Sequence, residues 1–174
     1  MAKQLSTICV VFAFAAASQL ASDAPEDAPA ASSELRPMQG AVLHYVSRLY
    51  GDPQPFAACA TDLSEAPKPL IVDLIPGTLG RLEGAARDCE RICKIARDHG
   101  RACVALRPCG RGNGSVYQGY GEVDVYEALG ALRKLVAIDP ERITVTGASM
   151  GGAATWYHAS HYPDFWAAAA PFCG

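Results

Sequence analysis

Residues 143–152, Ile-Thr-Val-Thr-Gly-Ala-Ser-Met-Gly-Gly, constrain the fold more than any other stretch of the chain. A β-type run passes through Gly147-Ala148-Ser149-Met150-Gly151 straight into a helix-like segment. A strand that turns this sharply into a helix belongs to an architecture in which helices pack against a sheet. The G-x-S-x-G spacing has a chemical reason. A serine nucleophile must stand on a tight, strained turn so that its hydroxyl is exposed at the end of the sheet. Side chains two residues to either side would meet the neighbouring strand and helix, so both positions are expected to be glycine. Ser149 also sits at a helix N-terminus, where free N–H groups and the helix dipole favour developing negative charge.

The order of elements around this turn agrees. Ala41–Tyr50 and Pro55–Ala60 read as two early strands, and Pro69–Leu74 as a short buried strand ending at Pro76-Gly77. Glu83–Asp98 is helical, with Ala85, Cys89, Ile92, Cys93 and Ala96 at helical spacing. Ala102–Leu106 is a strand and Gly110–Gly121 a glycine-rich loop, followed by a helix over Glu122–Val136. Asp139-Pro140 reads as a turn, Ile143–Thr146 as a strand, Gly151–His161 as a helix and Trp166–Pro171 as a final strand. Alternation of this kind predicts an α/β fold, a three-layer sandwich with a mostly parallel sheet. Trp156 and Trp166 are expected in the core. Asp124, near a helix start, reads as a complement to the helix dipole.

The chain divides at its N-terminus. Lys3, the apolar run Ile8 to Ala17 and the Ala15-Ala16-Ala17 site give residues 1–17 the form of a secretory signal peptide. The run is shorter than the ~20 apolar residues a spanning helix needs, so no membrane span is expected in the mature chain. Residues 18–40, rich in Ala, Ser, Pro, Asp and Glu, read as a flexible leader, which leaves 41–174 as the folded part. Export implies a secreted or periplasmic protein. Among the seven cysteines, Cys9 falls in the signal. The other six could form disulfides in an oxidising compartment, but their pairing cannot be read from sequence. Cys89 and Cys93, one helical turn apart on a buried face, read as small core residues. A net charge of −3 without basic runs argues against nucleic acid as a partner. No cofactor or metal is expected, since no C-x-x-C, no His/Cys cluster and no phosphate-binding pattern occurs.

A serine hydroxyl needs a base, normally a histidine oriented by a carboxylate. In sheets of this type the order along the chain is Ser, then Asp or Glu, then His. After Ser149 the sequence offers Asp164, His158 and His161. His158 lies about 13 Å along the helix from Ser149 at 1.5 Å per residue, too far to reach back. The oxyanion donors are expected from the backbone N–H of Met150 and from the loop after the earlier strand, at Gly77 or Thr78, since Pro76 has no N–H.

From about residue 41 onward the chain resembles the prolyl oligopeptidase-like branch of the α/β-hydrolases, including secreted esterases related to polyester depolymerases and feruloyl esterases. Three stretches carry the resemblance. They are Pro-Leu-Ile-Val-Asp-Leu-Ile-Pro-Gly over 69–77, Ile-Asp-Pro-Glu-Arg-Ile-Thr-Val-Thr-Gly-Ala-Ser-Met-Gly-Gly over 138–152, and His-Tyr-Pro-Asp-Phe-Trp-Ala-Ala-Ala-Ala-Pro-Phe-Cys-Gly over 161–174. The resemblance implies an α/β-hydrolase fold with Ser149 as nucleophile, the Met150 N–H as an oxyanion donor, and an ester or peptide as substrate. Where that family has His-Gly, this chain has Ile75-Pro76-Gly77. The family's acid and histidine are expected beyond residue 174, which makes 41–174 a C-terminally truncated hydrolase domain. The alternative is a non-catalytic, hydrolase-like binding or scaffold protein. Oligomeric state is open.

Overall fold

The computed structural model describes residues 34–75, 81–111 and 115–174. Six strands form one sheet in the order β1-β2-β4-β3-β5-β6. The elements along the chain are β1 (Ala41–Val46), β2 (Pro53–Ala60), β3 (Lys68–Asp73), α1 (Leu82–Asp98), β4 (Val104–Pro108), α2 (Tyr120–Arg133), β5 (Ile138–Ala148), α3 (Met150–His161) and β6 (Ala168–Phe172). β2 is antiparallel to both β1 and β4, while β4, β3, β5 and β6 run parallel. The predicted α/β architecture with a mostly parallel sheet is therefore the observed one. The expected signal and leader, 1–17 and most of 18–40, lie outside the described residues.

The strands divide their side chains between two faces. Phe56, Ala58, Leu70, Val72, Leu106, Ile143 and Val145 form one cluster with Val125, Leu129 and Leu132 of α2 and Ala154 of α3. Ala57, Cys59 and Ala105, the alternate positions on β2 and β4, form the other with Ala85, Ala86, Cys89 and Cys93 of α1. The alternation follows from the two-residue period of a strand. Cys89 and Cys93 are buried core residues, as their helical spacing implied.

Several boundaries shift for identifiable reasons. The first strand stops at Val46 rather than Tyr50, because residues 47–52 close a tight connection in which Gly51 N–H donates to Ser47 O at 2.7 Å and Ser47 N–H to Asp52 O at 2.9 Å. Pro108 lies inside β4. α2 gives way to a single turn at Lys134, where Leu135 N–H reaches Leu132 O at 2.9 Å. Asp139-Pro140 belongs to β5 and also makes a turn within it. Lys68 pairs with Ile138 and Leu70 with Ile143, so β5 bulges against β3. The bulge is held by the Asp139 carboxylate, which accepts from Glu141 N–H at 3.0 Å and from Arg142 Nε at 2.6 Å.

Candidate active site

Ser149 joins β5 to α3 with φ 56° and ψ −121°, a left-handed conformation that a serine adopts only where its surroundings impose it. Three contacts do so. The Ser149 N–H donates to Phe172 O at 2.8 Å, which extends the β5–β6 ladder by one bond. The Ser149 carbonyl accepts from Ala153 N–H at 3.0 Å, so the same residue opens the helix. Gly147 leaves the turn no room to relax. A Cβ there would run into the Leu74 carbonyl oxygen and lie 2.6 Å from that of Gly151. A second close approach falls on Gly152, where a Cβ would strike Phe172 O. Ser149 and Met150 are both exposed, Met150 at 48%. As the first residue of α3, Met150 carries one of the N–H groups with no carbonyl a turn earlier to receive it. Ser149 therefore stands just past the end of β5, with the helix dipole behind it.

The second expected donor, Gly77 or Thr78, lies outside the described residues. The strand leading to it is well anchored. Leu74 N–H donates to Thr146 O at 2.7 Å, tying β3 to β5 just before Ser149's turn. The Tyr117 hydroxyl donates to Ile75 O at 2.7 Å and lies 3.1 Å from Pro108 O. Tyr117 is itself buried with φ 56°. It joins the ends of β3 and β4 to α3, because its own carbonyl accepts from His158 Nε2 at 3.0 Å.

That contact settles what His158 does. With Nε2–H donating to Tyr117 O, Nδ1 is the acceptor for the Tyr126 hydroxyl at 3.2 Å. Both ring nitrogens are engaged, the side chain is fully buried, and burial lowers its pKa to about 4. His158 is a neutral structural histidine. His161 donates Nδ1–H to Tyr157 O at 2.8 Å and stacks on the Tyr157 ring at 4.0 Å, exposed at the far end of α3. Asp164 is exposed in the turn that follows α3. The structure brings none of these three to Ser149, in line with the helical rise.

Sequence reasoning missed a second polar centre. Asp124 is fully buried, where a residue complementing the helix dipole would face solvent. It accepts from the Tyr45 hydroxyl and from Gly110 N–H at 2.5 Å. Burial pushes its carboxyl above the usual carboxylate range, against the hydrogen bonds that favour the charged form. Beside it, buried Glu127 accepts from Arg48 N–H at 2.9 Å and lies 3.7 Å from the Arg111 guanidinium. Arg111 covers the Tyr50 ring at 4.8 Å. This start of the glycine-rich loop is thus pinned at Gly110 and Arg111, while 112–114 lie outside the described residues. The available signal was two acids one helical turn apart, Asp124 and Glu127, in an otherwise largely apolar helical run. Trp156 also departs from expectation. It is 61% exposed, because α3 packs on the sheet with Gly151, Gly152, Ala154, Thr155 and His158. Trp166 is buried as expected.

On the α1 face, Arg107 of β4 pairs with Asp73 at the end of β3 through Nε at 2.9 Å and Nη2 at 2.5 Å, and with Asp88 of α1 at 2.5 Å. Ser149, Tyr117, Asp124 and this ion cluster all lie at the C-terminal ends of the parallel strands, where ligands bind in open α/β sheets. A cavity of about 530 Å³ lined by Pro67, Pro69, His99, Arg101, Cys103 and Arg142 opens at the opposite end. Among the described residues no helix is long and apolar enough to cross a membrane.

No protein-family model matches the chain, and no curated protein matches it in sequence. Its fold is nevertheless shared with solved structures. A thermostable esterase superposes with a TM-score of 0.59 at 24% identity over 78% of this chain and 41% of its own. The feruloyl esterase module from Clostridium thermocellum, complexed with sinapinate, gives 0.58 at 12% identity over 78% of this chain and 58% of its own. A fluorophosphonate-binding serine hydrolase of Staphylococcus aureus gives 0.56 at 17% identity over 74% and 55%. At these identities the likeness is one of fold, that of the α/β-hydrolases. The chain spans about two-fifths to three-fifths of the length of these proteins.

Proposed function

We propose that this chain carries the nucleophile of a serine hydrolase, with Ser149 attacking the carbonyl of an ester and forming an acyl-enzyme that water resolves. One observation carries the reading. Ser149 holds a left-handed conformation on an exposed strand-to-helix turn, and such strain is kept where it serves a site. The Met150 N–H at the start of α3 would donate to the oxyanion, with Gly77 or Thr78 as the second donor. The esterases and serine hydrolases that share the fold favour an ester over a peptide as substrate. The resemblance of 69–77, 138–152 and 161–174 to the prolyl oligopeptidase-like branch keeps peptide hydrolysis as the second substrate class. The general base and its carboxylate would come from outside the described residues, since His158, His161 and Asp164 are placed elsewhere. The run from Lys3 to Ala17 supports a secreted or periplasmic location.

The positions of those three residues also support a second reading, a hydrolase-like binding or scaffold protein without turnover. Hydrolysis of p-nitrophenyl esters and of peptide p-nitroanilides by the product of the complete reading frame separates the readings. Ester turnover lost in Ser149→Ala is expected. Anilide turnover alone would assign a peptidase, and no Ser149-dependent turnover of either would favour the scaffold.

A further inference from the structure

Four buried thiols meet on the α1 face: Cys59 of β2, Cys89 and Cys93 of α1, and Cys103 at the entry to β4. Two have backbone partners on β2. Cys89 Sγ donates to Ala57 O at 3.6 Å, and Cys59 Sγ to Ala60 O at 3.8 Å. Cys93 faces Cys103 instead, with its Sγ 3.8 Å from the Cys103 carbonyl and 3.9 Å from the Cys103 Sγ. The chain folds so as to force this meeting. α1 ends in a tight reversal, where Gly100 N–H donates to Arg97 O at 2.8 Å and Arg101 N–H to Ala96 O at 2.9 Å, with Gly100 at φ 67°. Thr61 then fixes Cys103 from both sides. Its N–H donates to Cys103 O at 3.0 Å, and its Oγ1 accepts from Cys103 N–H at 3.2 Å. With both backbones held, the two sulfurs, 3.9 Å apart, must close to about 2.05 Å by movement of the side chains.

We propose that Cys93 and Cys103 are an oxidisable pair that forms a disulfide, stapling the C-terminal half of α1 to the entry of β4. The oxidant is a disulfide-class reagent, such as oxidised glutathione or a disulfide oxidoreductase. Cys103, 4% exposed, is among the residues lining the cavity at the start of the parallel strands, the side from which that reagent would approach. The Cys103 thiolate attacks one sulfur of the reagent and expels the other as a thiolate, leaving a mixed disulfide. Cys93 loses its proton, attacks the Cys103 sulfur and expels the second thiolate. The pair gives up two electrons and two protons, and the reagent leaves as two thiols. The contact between the two sulfurs holds the Cys103 thiol below the usual thiol range and makes Cys103 the attacking member. Cys59 also lies against Cys93 and is the competing partner.

The pairing is independent of the hydrolase reading and is tested without activity. The full chain is refolded with oxidised and reduced glutathione, denatured, and its remaining thiols alkylated at once. Tryptic fragments are then mapped by mass spectrometry. The expected product joins residues 92–94 to the fragment beginning at Ala102, with its mass lowered by two hydrogens and the bond placed at Cys103 by fragmentation. The link should persist in Cys59→Ala. Reduction should lower the melting midpoint by roughly 10 °C, as typical disulfides do in domains of this size. Alkylation of both Cys93 and Cys103 after oxidative refolding would overturn the proposal. So would a Cys59–Cys93 link as the main product.

Discussion

On the α1 face, β2 and β4 present Ala57, Cys59 and Ala105 to the small residues of a helix, and one ion cluster, Arg107 with Asp73 and Asp88, closes the top. On the α2–α3 face, Phe56, Tyr126, Tyr162 and Trp166 pack around three neutral or hydrogen-bonded polar centres, Asp124, Tyr117 and His158. The α1 face settles its buried charge by direct pairing. The other spreads hydrogen bonds from side chains to the backbone of the segments around Ser149. Tyr117 holds Ile75, Asp124 holds Gly110, and His158 holds Tyr117. A paired ion can be exchanged for apolar packing, whereas a side chain that satisfies loop backbone has no apolar substitute. The difference teaches that the polar groups facing α2 and α3 hold loop backbone in place, while those facing α1 support the sheet.

The largest expected effect tests the α1 side. Arg107→Ala leaves Asp73 buried without its partner and should cost about 3–5 kcal/mol in urea unfolding. Replacing Arg107 and Asp73 together by leucine should recover most of that loss. If the double variant stays as unstable as the single, the α1 face is not the exchangeable one.

His158 gives the matching test across the sheet. Its folded pKa of about 4 lies below the ordinary 6.5, so only the unfolded chain takes up the proton as pH falls between these values. Stability from neutral His158 is therefore whole above pH 6.5 and lost by about pH 4, a loss of about 3 kcal/mol. His158→Gln should flatten that part of the stability–pH curve. An unchanged slope would place the titration on another group.

Gly147→Ala pushes a methyl group against the carbonyls of Leu74 and Gly151. It should cost roughly 2 kcal/mol by thermal unfolding and distort the serine turn. Trp156→Ala, on the solvent side of α3, should change stability by under about 0.5 kcal/mol. A larger loss there would mean that the α3 surface is covered in the protein as it works.

Much of this arrangement was legible in the sequence. The apolar runs at 69–74 and 102–106 and the helical spacing from Ala85 to Ala96 gave the order of layers, because burial on a sheet or helix face leaves a period. The serine turn was legible because the collision around Gly147 restricts residue type locally. The roles of Asp124, Tyr117 and His158 were not, because each acts on backbone that is distant in sequence. Asp124 meets Tyr45 across the β1 side of the sheet, and His158 meets Tyr117 from another helix, and neither pairing leaves a local pattern. The Asp139 turn was recognised but its place inside a strand was not, since a bulge shows itself only through the partner strand's register.

The most direct measurement is covalent labelling of Ser149. The product of the complete reading frame is treated with a fluorophosphonate, digested, and the serine-bearing peptide weighed. An adduct on Ser149, absent in Ser149→Ala and slowed by Gly147→Ala, is the predicted result. A folded protein that leaves Ser149 unlabelled would contradict the assignment of this strained turn as a nucleophile.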